Sequence, residues 1–432
     1  MAHDVLRGGL IVPALALLLA AGCGPEISNE VSGATTAGGG AAGAGGQGGA
    51  GGQGGGGGGV VAEGPCAIGT PPAVAEVCGP PERPCVVLAD EIVPDEPLPH
   101  GDAPPFGLDP ACNARLMLPG EYEGGHYARR SESGEWAMNS VLFHVQRGGL
   151  GMRADGEPVV IVDDGNGKTS VRDRREGGVW WWNQNLAEWA DTWSGAFAQD
   201  AAGTLHVAYQ SGYYDPELRV MLGAYSLDGS FTATPIKNGY AQRTALALSP
   251  AARPHLAYHV YDQVLENYQL YWHSPPAAPE AILPEPVKYT KDLQMIGVTE
   301  PDAANPEGKP HVIAERMFAD GSSDLVYATR KGPGAWEVVP LAKPQNEYDQ
   351  PMPLGIVTEP GGGVRIFHVQ DSTIHVSWVE AGPKITTTAV AGPTSVVGST
   401  VRRDGLGRIH LALYEVDQYY ADSHVRYLLL GH

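Results

Sequence analysis

The chain has 432 residues and carries 28 Lys and Arg against 49 Asp and Glu, a net charge of −21. Such acidity repels nucleic acid and anionic lipid surfaces and excludes both as partners. The length permits two or three average domains or one large all-β repeat domain, and 9 Trp and 18 Tyr against 6 Phe favour aromatic groups with a polar handle, suited to half-exposed strands.

In chain order, residues 1–22 read as a signal peptide: Arg7, then an apolar run from Leu10 to Ala21 that is too short for a comfortable membrane span and ends on small residues. The run stops at Ala20-Ala-Gly-Cys23, which resembles the lipobox of bacterial lipoproteins. The resemblance implies that Cys23 is lipidated, becomes the new N-terminus, and makes a lipid anchor the only membrane attachment. Gly24 follows it where a retained lipoprotein would carry Asp, which implies an outer-membrane or cell-surface address. Residues 23–65 are nearly all Gly, Ala, Gln and Ser and cannot bury a core, so they are expected to be a disordered tether.

Cys66, Cys78, Cys85 and Cys112 follow in Pro-rich sequence. An exported chain sits where disulfides form, so two bridges are expected, with all three pairings open. No Cys-x-x-Cys occurs, so zinc is not expected there. Residues 66–133 are expected to form a stapled, loop-rich collar.

From residue 134 onward one strand recurs. It reads Gly203-Thr-Leu-His206-Val-Ala-Tyr209, Ala252-Arg-Pro-His255-Leu-Ala-Tyr258, Gly308-Lys-Pro-His311-Val-Ile-Ala314 and Gly407-Arg-Ile-His410-Leu-Ala-Leu413. Weaker copies centre on Val159 and Arg365. The marks at 159, 206, 255, 311, 365 and 410 lie 47, 49, 56, 54 and 45 residues apart, the period of four-stranded propeller blades. The expected fold is all-β, a six-bladed β-propeller over 134–432. The last unit ends at His432 one strand short. Gly134-Glu-Trp136 matches Gly334-Ala-Trp336, so the strand 134–141 is expected to complete the last blade and close the ring.

The unit Tyr327-Ala-Thr-Arg-Lys-Gly-Pro-Gly-Ala-Trp336 resembles the repeat of the bacterial sialidase-like, or Asp-box, propellers. Lys331 and Pro333 stand where that repeat has Asp and Gly, and the family's Phe-Arg-Ile-Pro signature is missing. The resemblance therefore implies a fold and not an activity.

In propellers of this kind the loops after the second strands, and those between blades, share one face. Here they carry Trp189, Trp193, Tyr213, Tyr214, Asp215, Tyr261, Asp262, Asp371, Asp417 and Tyr419. Rings that stack on sugars beside carboxylates that accept paired hydroxyls suit a glycan. Each is also an ordinary hairpin or edge-strand residue type. The recurring His206, His255, His311 and His410 begin equivalent strands of different blades and are expected to be structural rather than metal ligands. No nucleophile elbow, His-Glu-x-x-His motif or cofactor motif appears, so neither a metal nor a cofactor is expected. The sequence favours a binding protein, with a glycan or an envelope protein as partner, over the alternative of a sialidase-like glycan-cleaving enzyme with a diverged site.

Overall fold

In a computed structural model the chain is described over residues 64–68, 77–79, 82–94, 103–120, 124–143, 145, 147–163, 168–175, 178–188, 190–212, 218–238, 241–262, 267–284, 294–318, 322–344, 351–359, 361–379, 385–392, 394–416 and 423–432. The expected signal segment, Cys23 and the expected Gly-rich tether as far as residue 63 lie outside these residues.

Seven four-stranded antiparallel sheets make up the described fold. A first strand, β1 (Val86–Ile92), stands apart from the blade that follows it. Blade 1 holds β2 (Phe106–Leu108), β3 (Ala114–Pro119), β4 (Gly125–Arg130) and β5 (Trp136–Val141). Blade 2 holds β6 (Arg147–Met152), β7 (Pro158–Asp163), β8 (Lys168–Arg174) and β9 (Trp180–Glu188). Blade 3 holds β10 (Ala190–Gln199), β11 (Leu205–Ser211), β12 (Arg219–Tyr225) and β13 (Phe231–Asn238). Blade 4 holds β14 (Ala241–Leu248), β15 (Pro254–Asp262), β16 (Asn267–His273) and the short β17 (Glu280–Ala281). Blade 5 holds β18 (Gln294–Thr299), β19 (Lys309–Met317), β20 (Ser323–Gly332) and β21 (Ala335–Ala342). Blade 6 holds β22 (Met352–Thr358), β23 (Val364–Gln370), β24 (Thr373–Val379) and β25 (Ile385–Ala391). Blade 7 holds β26 (Val396–Arg403), β27 (Ile409–Val416) and β28 (Ser423–Gly431), with β1 paired antiparallel to β28 as its outer strand.

Two expectations are corrected. The propeller has seven blades, not six, and the strand at 134–141 does not close the ring. That strand is β5, the outer strand of a complete blade 1. The likeness of Gly134-Glu-Trp136 to Gly334-Ala-Trp336 reflects equal position within a blade, since Trp136 and Trp336 both sit at the start of a fourth strand. The missed blade lies partly in the segment 66–133, where Pro and Cys mask the repeat. Its mark is Arg115, whose strand β3 pairs with β2 as β27 pairs with β26.

One turn is repeated on the face where first strands pass to second strands. In blade 7 the Asp404 amide donates to the Arg408 carbonyl at 2.9 Å and the Gly407 amide to the Asp404 carbonyl at 3.2 Å. The same pair of bonds starts from Asp109, Arg153, Asp200, Ser249 and Glu359 in other blades. Its fourth residue takes a positive φ, which Gly156, Gly203, Gly362 and Gly407 accept freely and which Cys112 (φ 67°) and Ala252 (φ 59°) adopt at a cost. Six residues after the turn opens comes the mark. Its side chain reaches back to the turn in four blades: Arg115 to Asp109, His206 to Asp200 (3.1 Å), Arg365 to Glu359 (3.1 Å) and His410 to Asp404 (3.1 Å). In blades 3 and 7 the recurring histidine is thus a clasp for its own hairpin, whereas His255 reaches the Glu307 carbonyl and His311 the Thr299 and Tyr327 hydroxyls.

The core is divided among the seams between blades. One apolar cluster joins blades 6 and 7 around Leu354, Phe367, Leu411 and Leu428, and takes in Val77 and Cys78 from the collar. Another joins blades 7 and 1 around Phe106, Leu116, Tyr414 and Tyr427. Small residues at the axis let the first strands approach. A Cβ on Gly149 would lie 1.9 Å from the Phe197 ring, and one on Gly355 would lie 2.6 Å from Val401.

The segment 66–133, expected as a loop-rich collar, holds β1 to β4, and its four cysteines pair as Cys66–Cys112 and Cys78–Cys85. The first ties the segment around Pro65 to the β2–β3 turn, and Cys66 Sγ accepts the Gly405 amide of the β26–β27 turn at 3.3 Å.

Candidate functional site: the cleft between blades 5 and 6

The seam between blades 5 and 6 holds the smallest of the apolar clusters: Ile313, Tyr327, Val364 and Ile366. On the side of the β18–β19 and β22–β23 turns this seam opens into a cleft of about 550 Å³. Blade 5 contributes Thr299, Glu300, Asp302, Lys309, Lys331 and Glu337, with His311 and Tyr327 behind them. Blade 6 contributes backbone through Gly361, Gly362 and Gly363 and the apolar side chains of Val364 and Val379.

The turns explain why this seam is open. In blade 5 the chain between β18 and β19 makes a longer excursion than the five-residue turn of its neighbours, and its Glu307 carbonyl accepts from His255 Nε2 of blade 4 at 3.2 Å. Trp272 Nε1 donates to the other ring nitrogen of His255 at 3.3 Å. The excursion therefore fills the seam between blades 4 and 5. Blade 6 reverts to the short turn, and three of its five residues are glycines. A Cβ added to Gly361 or Gly362 would meet nothing within 4 Å.

At the back of the cleft His311 Nδ1 lies 2.6 Å from the Tyr327 hydroxyl and Nε2 lies 3.0 Å from Thr299 Oγ1. The His311 and Tyr327 rings stack at 5.9 Å and 15°. Burial pushes the His311 pKa down to about 3 and the Tyr327 pKa up. With both ring nitrogens engaged and the imidazole neutral, His311 is a rigid wall and not a proton carrier. At the rim Lys331 Nζ pairs with Glu337 at 2.5 Å, and both keep substantial exposure. Burial works against the charge of Asp302, but hydrogen bonds from Asn305 and from the Ala304 and Asn305 amides hold its pKa below the usual carboxylate range. Ammonium donors, carboxylate acceptors and bare backbone thus share one wet concavity. Among the described residues no three His, Cys, Asp or Glu side chains converge to hold a metal ion.

The residues expected from the sequence to carry the ligand are described only in part. Trp189, Tyr213, Tyr214, Asp215, Asp417 and Tyr419 lie outside the described residues. Trp193 is placed on β10 and Asp262 at the end of β15. Tyr261 packs its ring against Tyr268, 4.9 Å between centroids. Asp371 and Ser372, at φ 51° and 53°, form the two-residue turn joining β23 to β24, a reason for Asp there that needs no ligand. The cleft residues were not singled out from the sequence. Their signal was present as contrast: a long step from His255 to His311 beside a triglycine turn.

No family model matches this chain, and no curated protein matches it. Among solved structures it is similar to the polysaccharide lyase Uly1, with 11% identity, a TM-score of 0.49, and 85% of this chain and 98% of that one covered. It is also similar to the Aleuria aurantia lectin in complex with Fucα1-6GlcNAc, with 12% identity, a TM-score of 0.41, and 69% and 99% covered. An α-L-arabinanase of Penicillium chrysogenum complexed with arabinobiose shares 12% identity at a TM-score of 0.44, with 80% and 97% covered. Likeness this distant assigns no activity to this chain.

Proposed function

We propose that the chain is an exported, lipid-anchored β-propeller of the bacterial cell envelope that binds a glycan without cleaving it, and that the sugar sits between blades 5 and 6. The observation that carries the reading is the cleft itself. Its volume of about 550 Å³ falls within the range of about 300–1,000 Å³ common for small-ligand sites. Its lining alternates donors and acceptors, as a polyhydroxylated ligand requires. The glycine turn lets a sugar ring approach backbone groups directly. What supports binding over cleavage is the state of three lining groups: His311 is neutral and fully engaged, Asp302 is held ionised, and Glu337 is paired to Lys331. Glycoside hydrolysis needs instead a protonated carboxyl facing a free carboxylate.

The test is a glycan array with the full chain, followed by titration of the best ligand. Lys331→Met removes a charged donor worth about 1.5–3 kcal/mol when hydrogen-bonded, so affinity should fall roughly tenfold or more. Val379→Trp, which intrudes from the blade 6 side, should abolish retention with unchanged circular dichroism. The paired change Trp189→Ala with Trp193→Ala serves as the contrasting arm. Loss of retention in that pair, with the cleft variants unaffected, would place the sugar on the opposite loops and overturn the cleft assignment. Release of reducing sugar from the bound glycan would overturn the non-enzymatic reading.

A further inference from the structure

The propeller axis holds a second concavity. A cavity of about 520 Å³ opens among the ends of the first strands, on the side of the β26–β27 turn. A narrower pocket of about 60 Å³ continues it along the axis. Leu150, Phe197, Leu246, Ile296 and Ile356 supply apolar wall, and Pro65–Ala67, tethered through Cys66–Cys112, borders the mouth.

One side chain breaks the pattern of the first strands. The residues that pair with the seven marks occupy equivalent positions on the first strands. They are Gly107, Gly151, Ala198, Ala247, Gly297, Val357 and Arg402. Six are small or apolar and one is a guanidinium. Arg402 lines both the wide cavity and the narrow one. Its hydrogen bond is from Nη1 to the carbonyl of its own neighbour Val401, at 3.2 Å. The Asp404 carboxylate at the same mouth is committed elsewhere, to Arg408 Nε at 2.6 Å, His410 Nε2 at 3.1 Å, and the Leu406 and Arg408 amides at 2.8 Å. Gln199 is likewise committed, bridging to the Met152 amide and carbonyl across the seam of blades 2 and 3. Desolvation alone draws the Arg402 pKa down to about 10, with no carboxylate acting against it. At neutral pH the group is still charged, half-buried in the cavity wall, with no carboxylate partner of its own among the described residues.

We propose that the axial cavity is a binding site for a small organic carboxylate, gripped by the Arg402 guanidinium with its carbon body against Leu150, Phe197, Leu246, Ile296 and Ile356. The planar fork of Arg matches a carboxylate in a two-point grip. The apolar wall selects an organic acid over an inorganic anion, which would leave that wall wet. The site is separate from the cleft between blades 5 and 6 and does not depend on what that cleft binds.

The test uses the full chain with butyrate and benzoate, their primary amides, and inorganic phosphate, read by isothermal titration and by the shift in melting temperature. Both acids should bind and raise the melting temperature. The amides, of nearly equal shape and without charge, should bind at least tenfold more weakly, as should phosphate. Arg402→Met should abolish the response to the acids while melting, without ligand, at or above the wild type. Arg402→Lys, which keeps the charge and loses the fork, should bind with affinity reduced about tenfold. Equal response to acid and amide, equal response to phosphate, or an undiminished response in Arg402→Met would each overturn the proposal.

Discussion

Replacing Glu91 by Ala should loosen the seam between the last blade and the first. Glu91 lies on β1, the outer strand of blade 7, and its carboxylate crosses to blade 1. Arg130 donates to it from Nε and Nη2 at 3.0 and 2.7 Å, and Trp136 Nε1 donates at 2.8 Å. Blades 4 and 5 are joined by the same device: Glu280 on β17 receives Arg330 Nε and Nη2 at 2.9 and 2.7 Å. Hydrogen bonds to a charged group contribute about 1.5–3 kcal/mol each when taken singly. The three on Glu91 share one carboxylate whose side chain keeps 25% exposure, so their joint contribution comes to about 2–3 kcal/mol after screening. Urea unfolding of the full chain, with Glu91→Ala, Arg130→Met and the double variant, isolates the pair. A coupling near 1.5 kcal/mol is expected, and a value below about 0.5 kcal/mol would refute the seam as a closing contact. The pH dependence gives a second reading. The hydrogen bond from Arg130, against desolvation, holds the Glu91 pKa below its ordinary value of 4.5. Its contribution is therefore complete above pH 4.5 and is lost as pH falls through the lower folded-state value, so wild type and Glu91→Gln should converge in acid. A gap that stays constant to the lowest pH tested would refute the assignment.

Other outcomes follow from the same geometry. Burial pushes His255, His311 and His368 down to about 4, 3 and 3 from an ordinary 6.5. The unfolded chain binds protons that the folded chain does not, so stability falls as pH drops from 6.5 towards 4. Near pH 5 these three alone should give a slope of about 4 kcal/mol per pH unit, from about 1.4 kcal/mol for each proton, and replacing His311 with Phe should reduce it by about a third. Gly149→Ala should destabilise by about 1–3 kcal/mol or more through its clash with Phe197, and adding Phe197→Leu should recover part of the loss in a thermal melt. Chain-entropy scaling gives the Cys66–Cys112 bridge, with a separation of 46, about 4 kcal/mol and the Cys78–Cys85 bridge, with a separation of 7, about 2 kcal/mol. Paired Ser substitutions at each bridge should reproduce that order in urea. Cys23→Ser should abolish incorporation of labelled fatty acid and release the protein from the membrane fraction, and retention of label would refute the proposed anchor.

The sequence by itself determined the strands, their grouping in fours and the turn that repeats with them. These are local matters: apolar alternation sets a strand, and Asp or Ser four residues ahead of its return, with Gly between, sets the hairpin. The number of blades was not local. Blade 1 runs through Pro- and Cys-rich sequence with Arg115 in place of the recurring histidine, and only its pairing from β2 to β5 exposes it as a blade. Nor was closure local, because β1 and β28 are far apart in sequence and meet only when the ring is complete. Function divides in the same way. The aromatic and acidic loop residues were conspicuous by type; that Tyr261 packs on Tyr268 and Asp371 builds a turn is visible only in the tertiary structure. The cleft arises because the turns of adjacent blades differ in length and side chain, so a seam that is filled beside His255 stands open beside His311. Arg402 is an ordinary residue in a strand until the ring brings Gly107, Gly151, Ala198, Ala247 and Gly297 to the same cavity. Sequence encodes each blade through neighbours along the chain, whereas sites in a ring are made of what separate blades leave unfilled.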